Sequence, residues 1–387
     1  NSSSKAVYDL ITLRNELKSM IYFIYLLIVV ALIDVLFQLT LISLFTLAFL
    51  LYGLSLILGS LISGFCLDKF DFKLIGAIGL FATGFILLGY LLTDTQLLHF
   101  FHGLASGLLL PAPFVYLAGL NTDKTKHRLI LFSGVSFAVA LMIGSALGLI
   151  IEPKFSLNHV VISLGISMII LAILVIVFFP SEPKVTKEKS TLPATLNLVK
   201  NLLNEQHFGF AYAGALLLMF SNGALAYLLP LKIYSLDYGN QLLLFLIITL
   251  ALVSSLVFAL PMSRLDQHFS KSLVMTVGVL ILAICLLLFG VFKLKTLLFI
   301  VIILYGIAFT CVLSSILTLV VEGMDQSNRD IAYSLLFCFS IFGLISGVFI
   351  PAFFPTIITS FFISALVLAF CSTYLFYSIK VNQGVSS

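Results

Sequence analysis

Gly64 to Lys73, reading G-F-C-L-D-K-F-D-F-K, is the stretch on which the fold turns. It follows one long apolar run and precedes another. Four of its ten residues are charged, in a chain where only 9% are. A loop this short and this charged, between two runs of membrane length, marks a tight turn at a membrane surface. A weaker copy, Pro261 to Lys271, reads P-M-S-R-L-D-Q-H-F-S-K and follows roughly 200 residues later.

The composition fits a chain solvated by lipid. Sixty-one per cent of the residues are apolar and the mean hydropathy is +1.22. A soluble chain is about half apolar and about a quarter charged. The charges fall in short gaps between long apolar runs, the pattern of a helical membrane protein. The alternating segments of about ten residues that mark a β-barrel are absent from the pattern. A net charge of +4 says little about partners, and no nucleic acid is expected. Cys66, Cys285, Cys311, Cys338 and Cys371 lie within or at the ends of apolar runs, with no C-x-x-C pair. They read as packing residues, with no disulfide frame and no metal site. The sequence holds no G-x-x-x-x-G-K-[ST] phosphate loop and no H-E-x-x-H, which argues against an ATP-driven pump and an intramembrane metalloprotease. No cofactor is expected. Residues 1–19 are mixed polar and lead straight into a span, unlike a cleaved signal peptide. Asn1 in place of methionine suggests a trimmed start.

Segments of about 20 apolar residues cross the ~30 Å hydrocarbon layer. Each must be helical, because lipid offers the backbone no hydrogen-bond partner. Twelve fit: 20–38, 41–66, 74–93, 96–120, 129–151, 158–179, 208–231, 240–262, 272–292, 296–320, 331–350 and 356–379. The expected fold is an all-α membrane protein with twelve transmembrane helices. The first two spans share one charge, Asp34, and no polar loop. Either the turn near Gln38 to Ser43 is unusually tight, or residues are missing there. With the N-terminus inside, sixteen of the twenty lysines and arginines lie on the inner side, and Lys154, Lys232, Lys293 and Lys295 on the outer. The positive-inside rule then places both termini in the cytoplasm of a cell (inner) membrane protein.

The polar stretch Ser181 to His207 divides the spans six and six. The expected division is an N-terminal half (1–180), a cytoplasmic linker (181–207) with a surface helix over 194–205, and a C-terminal half (208–387). The halves echo one another. Gly103 and Arg128 lie 25 apart, Gly306 and Arg329 lie 23 apart, and Gly144 is mirrored by Gly343 or Gly347.

The Gly64–Lys73 loop resembles the signature of the major facilitator superfamily, a G-x-x-x-D-[RK]-x-[GN]-x-[RK]-type motif between its second and third helices. Gly64, Asp68, Lys69 and Lys73 match, and Asp71 stands where the family usually has a small residue. The second copy keeps Asp266 and Lys271 but has Pro261 in place of the glycine. The resemblance implies two parallel six-helix halves with a substrate site near mid-membrane between them. It also implies a gate, in which Asp68, Lys69 and Arg128, with Asp266 in the second copy, pair and separate as the halves rock. A solvated charge run that only fixes topology is the other reading.

Asp34 is the one acid deep within a span. A carboxylate in hydrocarbon is costly, so it should face a cavity, meet a partner or be protonated. Burial raises a carboxyl pKa, so the group can carry a proton between the two sides. A neutral, hydrogen-bonded structural acid and an outer-leaflet acid reached by water are the alternatives. His99 and His102 share one face at the outer end of the fourth span. The segment H-F-F-H-G resembles the superfamily's R-x-x-Q-G motif, with His99 at the arginine, His102 at the glutamine and Gly103 matching. The histidines can titrate near physiological pH and so can serve in proton coupling, or they can be interfacial residues meeting water and headgroups. By analogy with the superfamily, Tyr116, Asn222, Tyr227, Tyr305, Thr310, Ser314 and Ser315, with Asp34, are expected to line the substrate cavity. Pro111 and Pro113 would loosen the fourth helix. Gly134, Gly144 and Gly148 read as helix packing more than as a signal of direction.

The expected function is secondary active transport of a small amphipathic or cationic compound, by proton-coupled efflux, through a monomer in the lipid bilayer. A proton-coupled nutrient symporter and a lipid or lysolipid flippase of the same fold are the alternatives. An enzyme is not expected, because no catalytic group of polar residues gathers at one membrane face.

Overall fold

A computed structural model describes residues 21, 25, 28, 47–92, 96–119, 156–179, 192–236, 243, most of 246–258, 269–325 and 327–385. Eleven helices are ordered along these: α1 (Leu47–Leu67), α2 (Phe72–Gly89), α3 (Gln96–Leu109), α4 (Pro111–Gly119), α5 (Leu157–Phe178), α6 (Leu192–Asn204), α7 (Gln206–Ser235), α8 (Lys271–Val291), α9 (Lys295–Glu322), α10 (Arg329–Ala352) and α11 (Ile357–Val385). The described residues contain no strand. Nine spans among them are long and apolar enough to cross a membrane, with α3 and α4 forming one span over Gln96–Val115. These are nine of the twelve expected spans. The remaining three, 20–38, 129–151 and 240–262, lie wholly or partly outside the described residues. The surface helix expected in the linker is α6.

Lipid solvation is visible in which faces stay open. On α11, Ile358, Phe362, Leu366, Phe370 and Tyr374 recur every four residues and are all exposed. Residues four apart share a helix face, so this is one apolar stripe turned to lipid. The opposite stripe, with Phe361, Ala365 and Leu368 buried, packs on α8. Ser372 sits on that inner stripe and donates to the Thr276 carbonyl at 2.9 Å.

The charged loop is held by its own chemistry. Asp71, the departure from the family pattern, is the N-cap of α2, and its carboxylate accepts from the Lys73 N–H at 3.2 Å. Lys73 in turn donates through Nζ to the Phe179 carbonyl at 2.8 Å, satisfying an end of α5 that no intrahelical donor reaches. Replacing Asp71 with alanine removes the cap and should lower stability by about 1 kcal/mol. A thermal melt in detergent, showing a modest fall in Tm with the fold retained, checks this.

The fourth span breaks where its prolines predicted. α3 ends at Leu109, Leu110 turns, and α4 starts at Pro111. Pro111 has no N–H for the Gly107 carbonyl four residues back. Ser60 of α1 supplies a donor to that carbonyl at 3.3 Å, and Ser63 donates to the Leu108 carbonyl at 2.8 Å.

Glycines set how closely helices cross. A Cβ at Gly103 would meet the Ser55 hydroxyl and the Tyr52 carbonyl of α1. A Cβ at Gly306 would meet the Ser254 hydroxyl and the Ala251 carbonyl. The two crossings are the same contact made twice, roughly 200 residues apart, as the echo between Gly103 and Gly306 anticipated. Gly343 and Gly347 of α10 similarly abut the Leu216 and Phe220 carbonyls of α7. Small residues let backbones approach, which is the main packing device where lipid removes the hydrophobic gain from helix contact.

Candidate functional site

α1 and α10 pack against one another along a seam. Gly53 of α1 faces Ile345, the Ile57 carbonyl accepts from the Cys338 thiol at 3.6 Å, and a Cβ on Gly64 would lie 2.6 Å from the Ser334 hydroxyl oxygen. Positions 53, 57 and 64 fall on one stripe of α1 at helical spacing. Phe114 of α4 adds an edge-on contact with Phe337 at 4.9 Å between ring centres.

Beside this seam lies a cavity of about 40 Å³. Its walls come from α4, α7, α9 and α10, including Phe114, Leu218, Met219, Leu317 and Phe337. Ser340 brings the one hydroxyl in the lining, and it is already donated to the Leu336 carbonyl at 2.8 Å. No charged residue lines the cavity. Small-molecule sites enclose about 300 Å³ or more, so a substrate enters here only if the walls separate.

The residues expected from the sequence are placed as follows. Thr310 is buried between α9 and the stretch around Ser255, and its hydroxyl donates to the Ser255 carbonyl at 3.0 Å. Tyr305 is buried, with its hydroxyl 3.1 Å from that of Ser221 on α7. Asn222 and Tyr227 are half-buried on α7, Ser314 is half-buried and Ser315 buried on α9. None of these residues lines the cavity. Tyr116 lies in α4, and its side chain is outside the described residues, as are Asp34, Arg128 and Asp266.

Two of the residues expected to form a gate sit where α1 runs out. Asp68 is half-buried and Lys69 exposed in the turn after α1. One turn from the Gly64 contact, α10 begins with Arg329 and Asp330, paired at 3.2 Å, with Asp330 only 3% exposed at its side chain. Asp330 lies in the first turn of α10, where the helix dipole favours an acid. On the same face of the bundle, Lys271 pairs with Glu322 across the ends of α8 and α9.

The histidines are brought together at the other end. Tyr90 is the C-cap of α2, and its hydroxyl lies 2.8 Å from Nδ1 of His99 and 3.4 Å from Nδ1 of His102. His102 is 1% exposed and packs edge-on against Tyr52 of α1, at 5.0 Å between ring centres. Its Nε2 has no hydrogen-bond partner among the described residues. Ser106, one turn further along α3, is fully buried. Sequence reading placed both histidines on one face but missed Tyr90 and Tyr52, which reach them across helix boundaries.

A family model described as the Major Facilitator Superfamily matches residues 18–346 and, in a second match, 211–385. The crystal structure of the human organic anion transporter MFSD10 (TETRAN) is similar with a TM-score of 0.70 and 13% identity, covering 93% of this chain and 99% of that chain. That identity speaks for the fold alone. No curated protein matches the sequence.

Proposed function

We propose that this chain, which belongs to the Major Facilitator Superfamily, exports small amphipathic or cationic compounds in exchange for protons. Secondary transport is the family's activity, and alternating access between two helical halves is its motion. On this reading the halves are 1–180 and 208–387, joined by the linker 181–207, with both termini in the cytoplasm. The observation that supports the substrate class is the cavity lining, which is apolar and aromatic with no charge. Such walls suit an amphipathic or lipophilic solute and offer no cation to hold a multiply charged anion. For that reason the anion transport named for the human relative is not carried over.

Protons are the proposed coupling ion because Asp34 is the one acid placed deep in an apolar span. A carboxyl there favours its neutral form in lipid-like surroundings and can release its proton when the site opens to water. His99 and His102 would serve the same traffic at the outer face. Asp68, Lys69, Arg128 and Asp266 would hold the inner face closed through pairings that break as the halves rock. The polar residues Tyr116, Asn222, Tyr227, Tyr305, Thr310 and Ser314 would meet substrate once the halves part.

The test is transport in liposomes under an imposed pH gradient, with ethidium, metallophores, sugars and lysolipids offered in turn. Gradient-driven movement of ethidium should fall roughly 100-fold in Asp34→Asn, the scale of a lost proton-transfer group. If the gradient still drives the Asp34→Asn protein, proton coupling through Asp34 is wrong. Movement of lysolipids alone would favour a flippase of the same fold.

A further inference from the structure

We propose that α6 is an in-plane membrane anchor, which lays Leu196, Val199 and Leu203 into the headgroup boundary of one leaflet and sets Lys200 on its anionic phosphates. The leaflet is the one on the side of the Gly64–Lys73 loop. The inference goes beyond the transport reading and needs neither its substrate nor its protons.

The sequence of α6, L-P-A-T-L-N-L-V-K-N-L-L-N, is sorted around the helix. At about 100° per residue, Leu198, Leu202, Thr195, Val199, Leu203 and Leu196 follow one another around one side. Asn197, Lys200, Asn201 and Asn204 take the other. The structure divides the apolar side in two. One flank holds buried Thr195 and Leu202 with half-buried Leu198, and α6 packs on α7 and α10. The other flank is open. Leu196 is 55% and Leu203 44% exposed, with Val199 half-buried between them. These three fall at i, i+3 and i+7, so they form one stripe. A helix held by the bundle alone needs the first flank and gains nothing from the second.

The stripe sits where the bilayer begins. α6 ends at Asn204, the span α7 begins at Gln206, and Glu205 alone joins them. Glu205 is extended, with φ −77° and ψ 128°, so the chain turns there and α6 does not prolong the axis of α7. The corner is closed on both sides. The Glu205 N–H donates to the Asn201 carbonyl at 3.0 Å, and its carbonyl accepts from the Gly209 N–H at 2.9 Å. With 13 residues, three of them asparagine and one lysine, α6 is too short and too polar to cross the hydrocarbon layer itself. A short helix with one apolar and one polar face at this level is built to lie in the interface.

Charge selects the lipid. Lys200 is the sole charged residue of α6, and it is exposed at the border between the open stripe and the asparagine face. There a lysine rests its stem on the apolar layer and holds its ammonium at the phosphates. The stretch leading into α6, Lys184 to Lys189, reads K-V-T-K-E-K, three lysines to one acid. A leaflet carrying anionic lipid attracts such a segment. Packed on α7 and α10, an anchored α6 belongs with the second half on the division proposed above.

The chain has no tryptophan, so one that is introduced reports alone. Leu196→Trp and Leu203→Trp place it on the stripe, and Asn197→Trp and Asn201→Trp on the opposite face, all four at exposed positions. Each full-length protein is placed in nanodiscs of phosphatidylcholine and phosphatidylglycerol in equal parts. Its fluorescence is quenched either by lipid brominated in the acyl chain or by acrylamide in the water. Brominated lipid should quench the Leu196→Trp and Leu203→Trp proteins roughly threefold more strongly than the other two, and acrylamide should do the reverse. Discs of phosphatidylcholine alone should lower the lipid quenching at least twofold. So should the combined changes Lys184→Gln, Lys187→Gln, Lys189→Gln and Lys200→Gln in the mixed discs. Stronger quenching of the stripe by acrylamide would overturn the anchor. Shielding of the stripe from both quenchers would overturn it too, because a protein segment would then cover the leucines. Equal lipid quenching with and without phosphatidylglycerol would overturn anionic lipid as the occupant.

Discussion

Replacing Gly103 with leucine should remove folded protein from the membrane. The Cβ of any residue at 103 would collide with the Tyr52 carbonyl and the Ser55 hydroxyl, and the first of these is backbone. A flexible side chain can swing aside, but a helix backbone cannot, so α1 and α3 must separate. The neighbouring crossings leave no slack. Gly59 abuts the Leu104 carbonyl and Gly107 abuts the Leu56 carbonyl, so the whole seam of the two helices is set at contact distance. Separation would also break the Ser60 and Ser63 hydrogen bonds that serve the proline-broken stretch. Ordinary overpacking costs about 1–3 kcal/mol where the site can adjust. Backbone collision along a whole seam exceeds that, against a total stability of about 5–15 kcal/mol. The Gly306→Leu protein should fail in the same way, because its Cβ meets the Ala251 carbonyl. The measurement is size-exclusion chromatography of the detergent extract, where the monodisperse peak should fall at least tenfold in both. Gly209→Leu is the control, since nothing lies within 4 Å of a Cβ there, and it should keep its peak. A full peak from Gly103→Leu would mean that the crossing is looser than drawn.

The correspondence of Gly103 with Gly306 was legible in the sequence, because a repeat spaces its glycines alike whatever surrounds them, but that each sits at a helix crossing was not. The break at Pro111 was legible too, since it follows from a missing N–H. The cavity lining was not legible. The spanning helices are apolar on nearly every side, so no periodic contrast says which face turns inward. Thr310 illustrates the error this invites. A hydroxyl in a span can be satisfied by a neighbouring helix, and here it takes the Ser255 carbonyl. Phe114, Leu317 and Phe337, which do line the cavity, look in sequence like any lipid-facing residue. The histidine cluster was half legible. His99 and His102 are three apart on one helix, but Tyr90 comes from the preceding one, and that contact exists only once the chain has folded. Asp71 was read as a departure from a motif, and its capping of α2 gives the acid a local purpose.

The seam between α1 and α10 can be locked, and the lock should stop transport. Cys338 donates to the Ile57 carbonyl at 3.6 Å, so the two helices pass close at that level. Ile57 shares the α1 stripe of Gly53 and Gly64, both of which face α10. A cysteine at 57 therefore shares the α1 face turned to the native thiol, and the bond requires a Cα separation under about 7 Å. In an Ile57→Cys protein whose other four native cysteines are replaced by serine or alanine, mild oxidation should join residues 57 and 338. Cleavage at a protease site placed in the linker 181–207 reads this out, since the two fragments stay together on a non-reducing gel only if the bond has formed. Alternating access requires this seam to open and close, because the cavity beside it is about 40 Å³, too small to admit a solute as it stands. Oxidation should then lower transport at least tenfold, and reduction should restore it. Failure to cross-link would mean that Ile57 and Cys338 are out of register. Full transport by the cross-linked protein would place the moving seam elsewhere, and the rocking of α1 against α10 would have to be abandoned as the route by which substrate reaches the cavity.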